Sequence, residues 1–215
     1  MVMTVFKAYD IRGIAGKELD QDFAERLGRA IATHLDAKSV SVVRDIRESS
    51  PSYHESFVSG LRSSGADVID LGISTTGVLY RSTVDLSVDV AVAITASHNP
   101  PEYNGFKICK GKMPVGGEEL QDIRRTFEAG GFRTGNGDYR NMEEYEDTYV
   151  ESVLESVGSL NRPIKIVLDC GNAVPGPLAL RTLERLGVDV IPIYCDWDNS
   201  FPNHPPDPTR QENMI

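Results

Sequence analysis

The chain has 215 residues and a formal net charge of -10, with 40% hydrophobic and 25% charged residues. That length supports a sizeable core without covalent staples, in one large domain or two small ones. The acidic balance argues against general nucleic-acid binding, which needs a basic stripe to neutralise phosphates, but a local cluster of cations can still hold a small anion.

In chain order, Gln21 to Leu35 carries Phe23, Leu27, Ala30, Ile31 and Leu35 at the spacing of one helical face. Ser39 to Val43 is a short β-branched strand. A turn through Arg47-Glu48-Ser49-Ser50-Pro51 leads to a helix over Tyr53 to Ser63, with Phe57, Val58 and Leu61 inward. Ala66 to Leu71 reads as a strand, Val78-Leu79-Tyr80 as a short helix, and Val90 to Ile94 and Gly105 to Cys109 as two further strands. Strands alternating with helices predict a layered α/β/α domain with a mixed, mostly parallel sheet.

Gly130 to Asp138 is a glycine-rich loop, followed by a helix over Met142 to Val157 with Tyr145, Tyr149, Val153 and Val157 on one side. Asn161-Arg162-Pro163 interrupts the chain before a strand at Ile164 to Leu168. The reading gives a first domain over 1–146 and a second over 147–215. Leu61 to Ile69 (LRSSGADVI) lines up with Leu183 to Ile191 (LERLGVDVI), and SVVRD ending at Asp45 echoes KIVLD ending at Asp169. Each copy is strand, Asp, loop, helix, glycine, strand, so the two domains are expected to be similar. The second copy runs into the proline-laden stretch from Asn199 to Pro208 with no further strands. It is therefore expected to be incomplete, in a chain that is a piece of a longer one.

Three cysteines (Cys109, Cys170, Cys195) lack any paired metal spacing and suit a reducing cytosol. The four histidines show no i, i+4 pairing, so a His-based zinc site is not expected. The first residues carry no signal-type apolar core, and no run approaches the ~18 apolar residues of a membrane helix. The expectation is a cytoplasmic protein with no membrane or nucleic-acid partner.

The chemistry concentrates in TASHNPPEYNGFK, Thr95 to Lys107. Pro100-Pro101 enforces extended backbone, and Asn104-Gly105 reads as a two-residue hairpin turn. Turn chemistry leaves Ser97, His98 and Lys107 unexplained. A serine at the carboxyl end of a strand lies where open α/β sheets bind ligands. A hydrolase would want Gly-x-Ser-x-Gly, which is absent, and His98 as a chain neighbour is badly placed as base for Ser97. A serine that carries a phosphoryl group would want cations around its charge, and Arg12, Arg47 and Lys107 suit that need.

Thr95-Ala96-Ser97-His98-Asn99-Pro100 with Asn104-Gly105-Phe106-Lys107 resembles the phosphoserine loop of the α-D-phosphohexomutase family. Phe6-Lys7-Ala8-Tyr9-Asp10-Ile11-Arg12-Gly13 looks like the N-terminal signature of its phosphomannomutase/phosphoglucomutase branch. Asp45-Ile46-Arg47-Glu48-Ser49-Ser50, Asp169-Cys170-Gly171-Asn172 and Phe201-Pro202-Asn203-His204 also fall in the family's order. Val43 stands where a glycine is usual, and Ala173-Val174-Pro175 replaces a glycine-containing turn.

The resemblance implies an isomerase of carbohydrate metabolism that moves phosphate between the 1- and 6-positions of mannose or glucose, through a phosphoprotein and a bisphosphorylated hexose. Ser97 would carry the phosphate and, through it, help bind Mg²⁺. Lys107 would manage the proton at the sugar hydroxyl, with His98 alongside. Tyr9, Arg12, Asn99 and Arg47 would contact substrate or its phosphate. The aspartate-rich metal loop of the family is expected beyond Ile215, so residues 1–215 alone are expected to be inactive, and the parent enzyme monomeric or dimeric. The alternative is a stand-alone sugar-phosphate-binding or regulatory module without catalysis.

Overall fold

The computed structural model describes residues 5–207, 209 and 211–213. They divide into two units: the described residues up to Ser97 with Glu102–Glu143, and His98–Pro101 with the described residues from Glu144 onward.

The first unit holds β1 (Ile11–Ile14), α1 (Gln21–His34), β2 (Ser39–Arg44), α2 (Ser50–Ser63), β3 (Asp67–Ile73), α3 (Thr76–Asp85), β4 (Val90–Ile94), β5 (Tyr103–Lys110), β6 (Met113–Pro114), α4 (Gly117–Ala129) and β7 (Tyr139–Asn141). The sheet order is β1-β5-β4-β2-β3-β7, with β6 on β5. Its centre, β4-β2-β3, is parallel, while β5 runs antiparallel to β4, β1 and β6. β4 is buried along its whole length, as a strand covered on both faces must be.

One face of the sheet carries Val40, Val42, Val92, Ile94, Phe106 and Ile11 into a core shared with α1, α2 and α4. Five phenylalanines bind that core, with Phe23–Phe127 centroids 4.8 Å apart and Phe57–Phe106 5.4 Å apart. The other face meets α3, where the Ser41 and Ser82 hydroxyls lie 2.8 Å apart. The result is the expected α/β/α layering.

Local chemistry sets the helix ends. Asp20 caps α1 by accepting from Phe23 N–H at 2.7 Å. Ser50-Pro51, expected in a turn, instead open α2, since proline at the first helical turn sacrifices no hydrogen bond. The helix α4 carries only a narrow buried stripe of Leu120, Ile123 and Phe127 within a charged surface, so its sequence has no broad apolar face to announce it.

The second unit contains α5 (Tyr145–Val157), β8 (Lys165–Asp169), α6 (Pro175–Arg185) and β9 (Asp189–Ile193), with β8 and β9 parallel. On α5 Tyr145 and Val150 are buried and Tyr149 and Val153 partly so, while Val157 is half exposed; of the expected side of Tyr145, Tyr149, Val153 and Val157, only the last position lies in the open.

The sequence repeat is a structural repeat. After α2, Gly65 N–H reaches Arg62 O and Ala66 N–H reaches Leu61 O; after α6, Gly187 N–H reaches Glu184 O and Val188 N–H reaches Leu183 O. Both ends are the same left-handed cap, with Gly65 at φ +77 and Gly187 at φ +80. Asp45 and Asp169, at the ends of β2 and β8, each accept from the N–H two residues on. The copies differ in register: Ser41 pairs with Ile69, but its counterpart Lys165 pairs with Asp189, the equivalent of Asp67. A two-residue shift keeps every side chain on its face. The three cysteines are free. Burial and the neighbouring Cys195 thiol push Cys170 up to about 12, which leaves it protonated and unreactive.

A buried carboxylate should make the first unit acid-sensitive. Asp70 accepts from Tyr139 hydroxyl at 2.7 Å and Gly72 N–H at 2.9 Å, with His54 Nε2 at 3.1 Å. Burial raises its pKa, but these contacts outweigh it and hold the carboxyl below its ordinary value. A depressed folded value stabilises the protein above the unfolded pKa of about 3.9, and that contribution is lost as pH falls through the folded value. Melting temperatures of wild type and Asp70→Asn should therefore converge as pH drops from 5 to 3. A constant gap would exclude this linkage.

Candidate active site

The loop after β4 begins at Thr95, whose hydroxyl accepts from Ser97 N–H at 2.9 Å. Ser97 is exposed and takes φ +57, a left-handed conformation uncommon for a residue with a Cβ. His98 is exposed and Asn99 half-buried. The reversal happens over Ser97 to Glu102. Asn104-Gly105, read in the sequence as the turn, lies inside β5 instead. Gly105 pairs with Arg12, and a Cβ on it would sit 2.2 Å from Ile11 O. The glycine serves close strand approach, and Asn104 serves a network described below. Gly105→Ala should force β1 away and lower stability by about 1–3 kcal/mol, measurable by denaturant titration.

Strand register gathers the cations. Arg12 pairs with Gly105, and Ala93 pairs with Lys107. Directly opposed residues share a face, as do residues two apart, so Arg12 and Lys107 project from one face. Ile11, Phe106 and Ile94 project from the opposite face, into the core. Asp10 joins the two cations: its carboxylate pairs with Arg12 and lies 3.8 Å from Lys107 Nζ. Asp10 belongs to the quoted N-terminal signature, yet sequence reasoning gave it no role. A carboxylate two residues before an arginine in a predicted phosphate site was the available signal.

Tyr9 stands at the tip of a hairpin closed by Lys7 N–H to Asp10 O, and is 82% exposed. Its ring borders Gly116, where a Cβ would lie 3.1 Å from Tyr9 Cδ1.

Arg47 is placed differently from the other cations. Only 2% exposed, it donates from Nε to Asp45 at 3.0 Å, from Nη1 to Tyr103 O at 3.0 Å and from Nη2 to Ser97 O at 2.9 Å. Burial lowers its pKa and Asp45 opposes that; a guanidinium stays charged regardless. Asp45 also accepts from the Ser50 hydroxyl. The Asn104 amide donates to Ser49 and Ser50 Oγ at 2.8 and 3.0 Å, and its oxygen accepts from Gly105 N–H at 2.8 Å. The segment after β2 is thus bonded to both ends of the serine loop.

Residues 3–134 match the family domain described as "Phosphoglucomutase/phosphomannomutase, alpha/beta/alpha domain I", and residues 147–215 match "alpha/beta/alpha domain II" of the same family. The chain belongs to the phosphoglucomutase/phosphomannomutase family. It is 38% identical to "Phosphomannomutase/phosphoglucomutase" of Pseudomonas aeruginosa over 98% of this chain and 46% of that protein. With "Phosphoglucomutase" of Neisseria gonorrhoeae it is 40% identical, again over 98% and 46%. A solved phosphoglucomutase/phosphomannomutase family protein from Burkholderia thailandensis superimposes with TM-score 0.92 at 39% identity, over 98% of this chain and 48% of that one. The chain spans about half the length of the curated relatives it matches. No helix among the described residues is long and apolar enough to cross a membrane.

Proposed function

We propose that the protein interconverts hexose 1-phosphate and hexose 6-phosphate, of mannose or glucose, with Ser97 as the phosphate carrier. The observation that carries this is Ser97 itself: an exposed hydroxyl on a loop whose carbonyl is fixed from below by a buried arginine. The names of the family and of its relatives support the hexose-phosphate mutase part of this reading.

In the forward direction the Ser97 O–P bond breaks and a P–O bond forms to the free sugar hydroxyl, giving a hexose bisphosphate. The hydroxyl proton passes through Lys107 to the departing serine oxygen. Reorientation of the bisphosphate and return of its other phosphate to Ser97 complete the cycle. Arg12 and Tyr9 bind the substrate, and Arg12 and Lys107 oppose phosphoryl charge, since such transfer depends mostly on positioning and electrostatics. His98 and Asn99 shape the loop and contact phosphate. Asp10 keeps Arg12 and Lys107 together when no anion is bound.

Magnesium, which the family resemblance implies, would be held in part through the phosphate on Ser97. Among the described residues no three His, Cys, Asp or Glu side chains converge on a point. In this reading residues 1–215 alone are inactive.

The test is to incubate the protein, expressed from its complete coding sequence, with hexose 1,6-bisphosphate and map the modification by mass spectrometry. One phosphate at Ser97 is expected. Phosphate confined to another residue would end the proposal.

A further inference from the structure

The geometry points to Arg47 as a positioning residue that sets Ser97 for phosphoryl transfer through the Ser97 carbonyl, in place of a direct contact with substrate; this rests on the reading of Ser97 as the phosphate carrier. Three features support it. First, Arg47 is 2% exposed and its fork is directed inward to Asp45 and to two backbone carbonyls, those of Ser97 and Tyr103. These carbonyls lie at opposite ends of the loop, so one rigid guanidinium fixes the loop's span. Second, the residue so held is the one at φ +57. A serine in that conformation persists only where its surroundings over-determine it, and the bonds from Arg47 to Ser97 O and from Ser97 N–H to Thr95 Oγ1 grip the peptide groups on both sides of its Cα. Third, both bonds engage backbone, and the side chain stands exposed.

The planar fork is what the task requires. A lysine at position 47 retains the charge beside Asp45 but has a single ammonium head, which cannot bridge two carbonyls in a fixed geometry. The loop then keeps its chain path but loses its fixed span, and the phosphate on Ser97 drifts from its line of attack. Loss of position lowers turnover and leaves ground-state binding by Arg12 and Tyr9 in place.

The experiment uses the protein expressed from its complete coding sequence, with kcat and KM for hexose 1-phosphate measured well below each variant's Tm. Arg47→Lys should lower kcat at least about tenfold with KM within about twofold of wild type. Unchanged kcat, or a raised KM at unchanged kcat, would overturn the proposal, the latter making Arg47 a substrate contact. Where Arg47→Lys does not fold, replacing the peptide between residues 97 and 98 by an ester weakens the Ser97 carbonyl as an acceptor without disturbing the buried pair. That variant should lose kcat at similar KM and near-native Tm, and native kcat would refute the role. Ser97→Ala run in parallel separates the two ideas. An active Ser97→Ala removes the phosphoserine reading itself, whereas an inactive one beside fully active Arg47 variants removes only the positioning role.

Discussion

Ser97→Ala, in the protein expressed from its complete coding sequence, is expected to abolish phosphorylation and to lower turnover by at least about a thousandfold, the scale on which loss of a nucleophile acts. The expectation is specific to this hydroxyl because Ser97 is exposed, whereas the nearby hydroxyl residues are buried or half-buried. Ser50 is buried and donates to Asp45; Ser49 accepts from the Asn104 amide; Thr95 accepts from Ser97 N–H. A phosphate on Ser50 would also bring about -1.5 to -2 charges against a buried carboxylate. Stability should change little, since Ser97 is exposed and alanine places the same Cβ on the left-handed backbone at this position. Loss of phosphate and turnover with unchanged Tm is the diagnostic combination; turnover within tenfold of wild type would refute the role.

How far the sequence could be read depends on what kind of force decides each feature. Val90–Ile94 was legible to the residue because an uninterrupted apolar run between polar flanks has one economical use in an α/β layer. The repeat was legible because Leu, Gly and Asp recur where a helix must end in a left-handed cap and a strand must end in a side-chain-capped turn. Asn104-Gly105 misled, since local turn preference was overridden by strand pairing: β1 needs a residue without Cβ at 105, and the Asn104 amide is held by two serines.

The site shows the same division. Ser97 and Lys107 stand out in the sequence as candidates because turn chemistry does not explain them. The burial of Arg47 was not legible, because an arginine in a loop reads alike whether it faces solvent or two carbonyls. Asp10 was overlooked for a related reason: its meaning lies in the cross-strand register that puts Arg12 and Lys107 on one face, and no local pattern announces that register.

The largest stability effect should come from Asp45→Ala, at about 3–5 kcal/mol. Asp45 is 8% exposed and is the carboxylate partner of an arginine whose side chain is almost wholly buried. Truncation leaves that cation without its hydrogen-bonded carboxylate, strips an acceptor from Arg47 N–H at 3.1 Å and leaves the Ser50 O–H without its acceptor. Each loss acts in a poorly solvated place, so the penalty should persist at 1 M salt, where exposed pairs are screened. Asp85→Ala supplies the contrast. It breaks an i, i+4 pair with Arg81 whose arginine side chain is 43% exposed, and should cost only about 0.3–0.5 kcal/mol. Asp45→Asn should fall between the two, since it keeps an acceptor and loses the charge. Denaturant titrations of the three variants at low and high salt would measure the order, and an Asp45→Ala cost below about 1 kcal/mol would show that Arg47 does not depend on this carboxylate. If the cost is large, the serine loop also loses its anchor, because the guanidinium that Asp45 holds is the one that reaches Ser97 O. Asp45→Ala should therefore reduce turnover as well as stability, whereas Asp85→Ala should leave turnover unchanged.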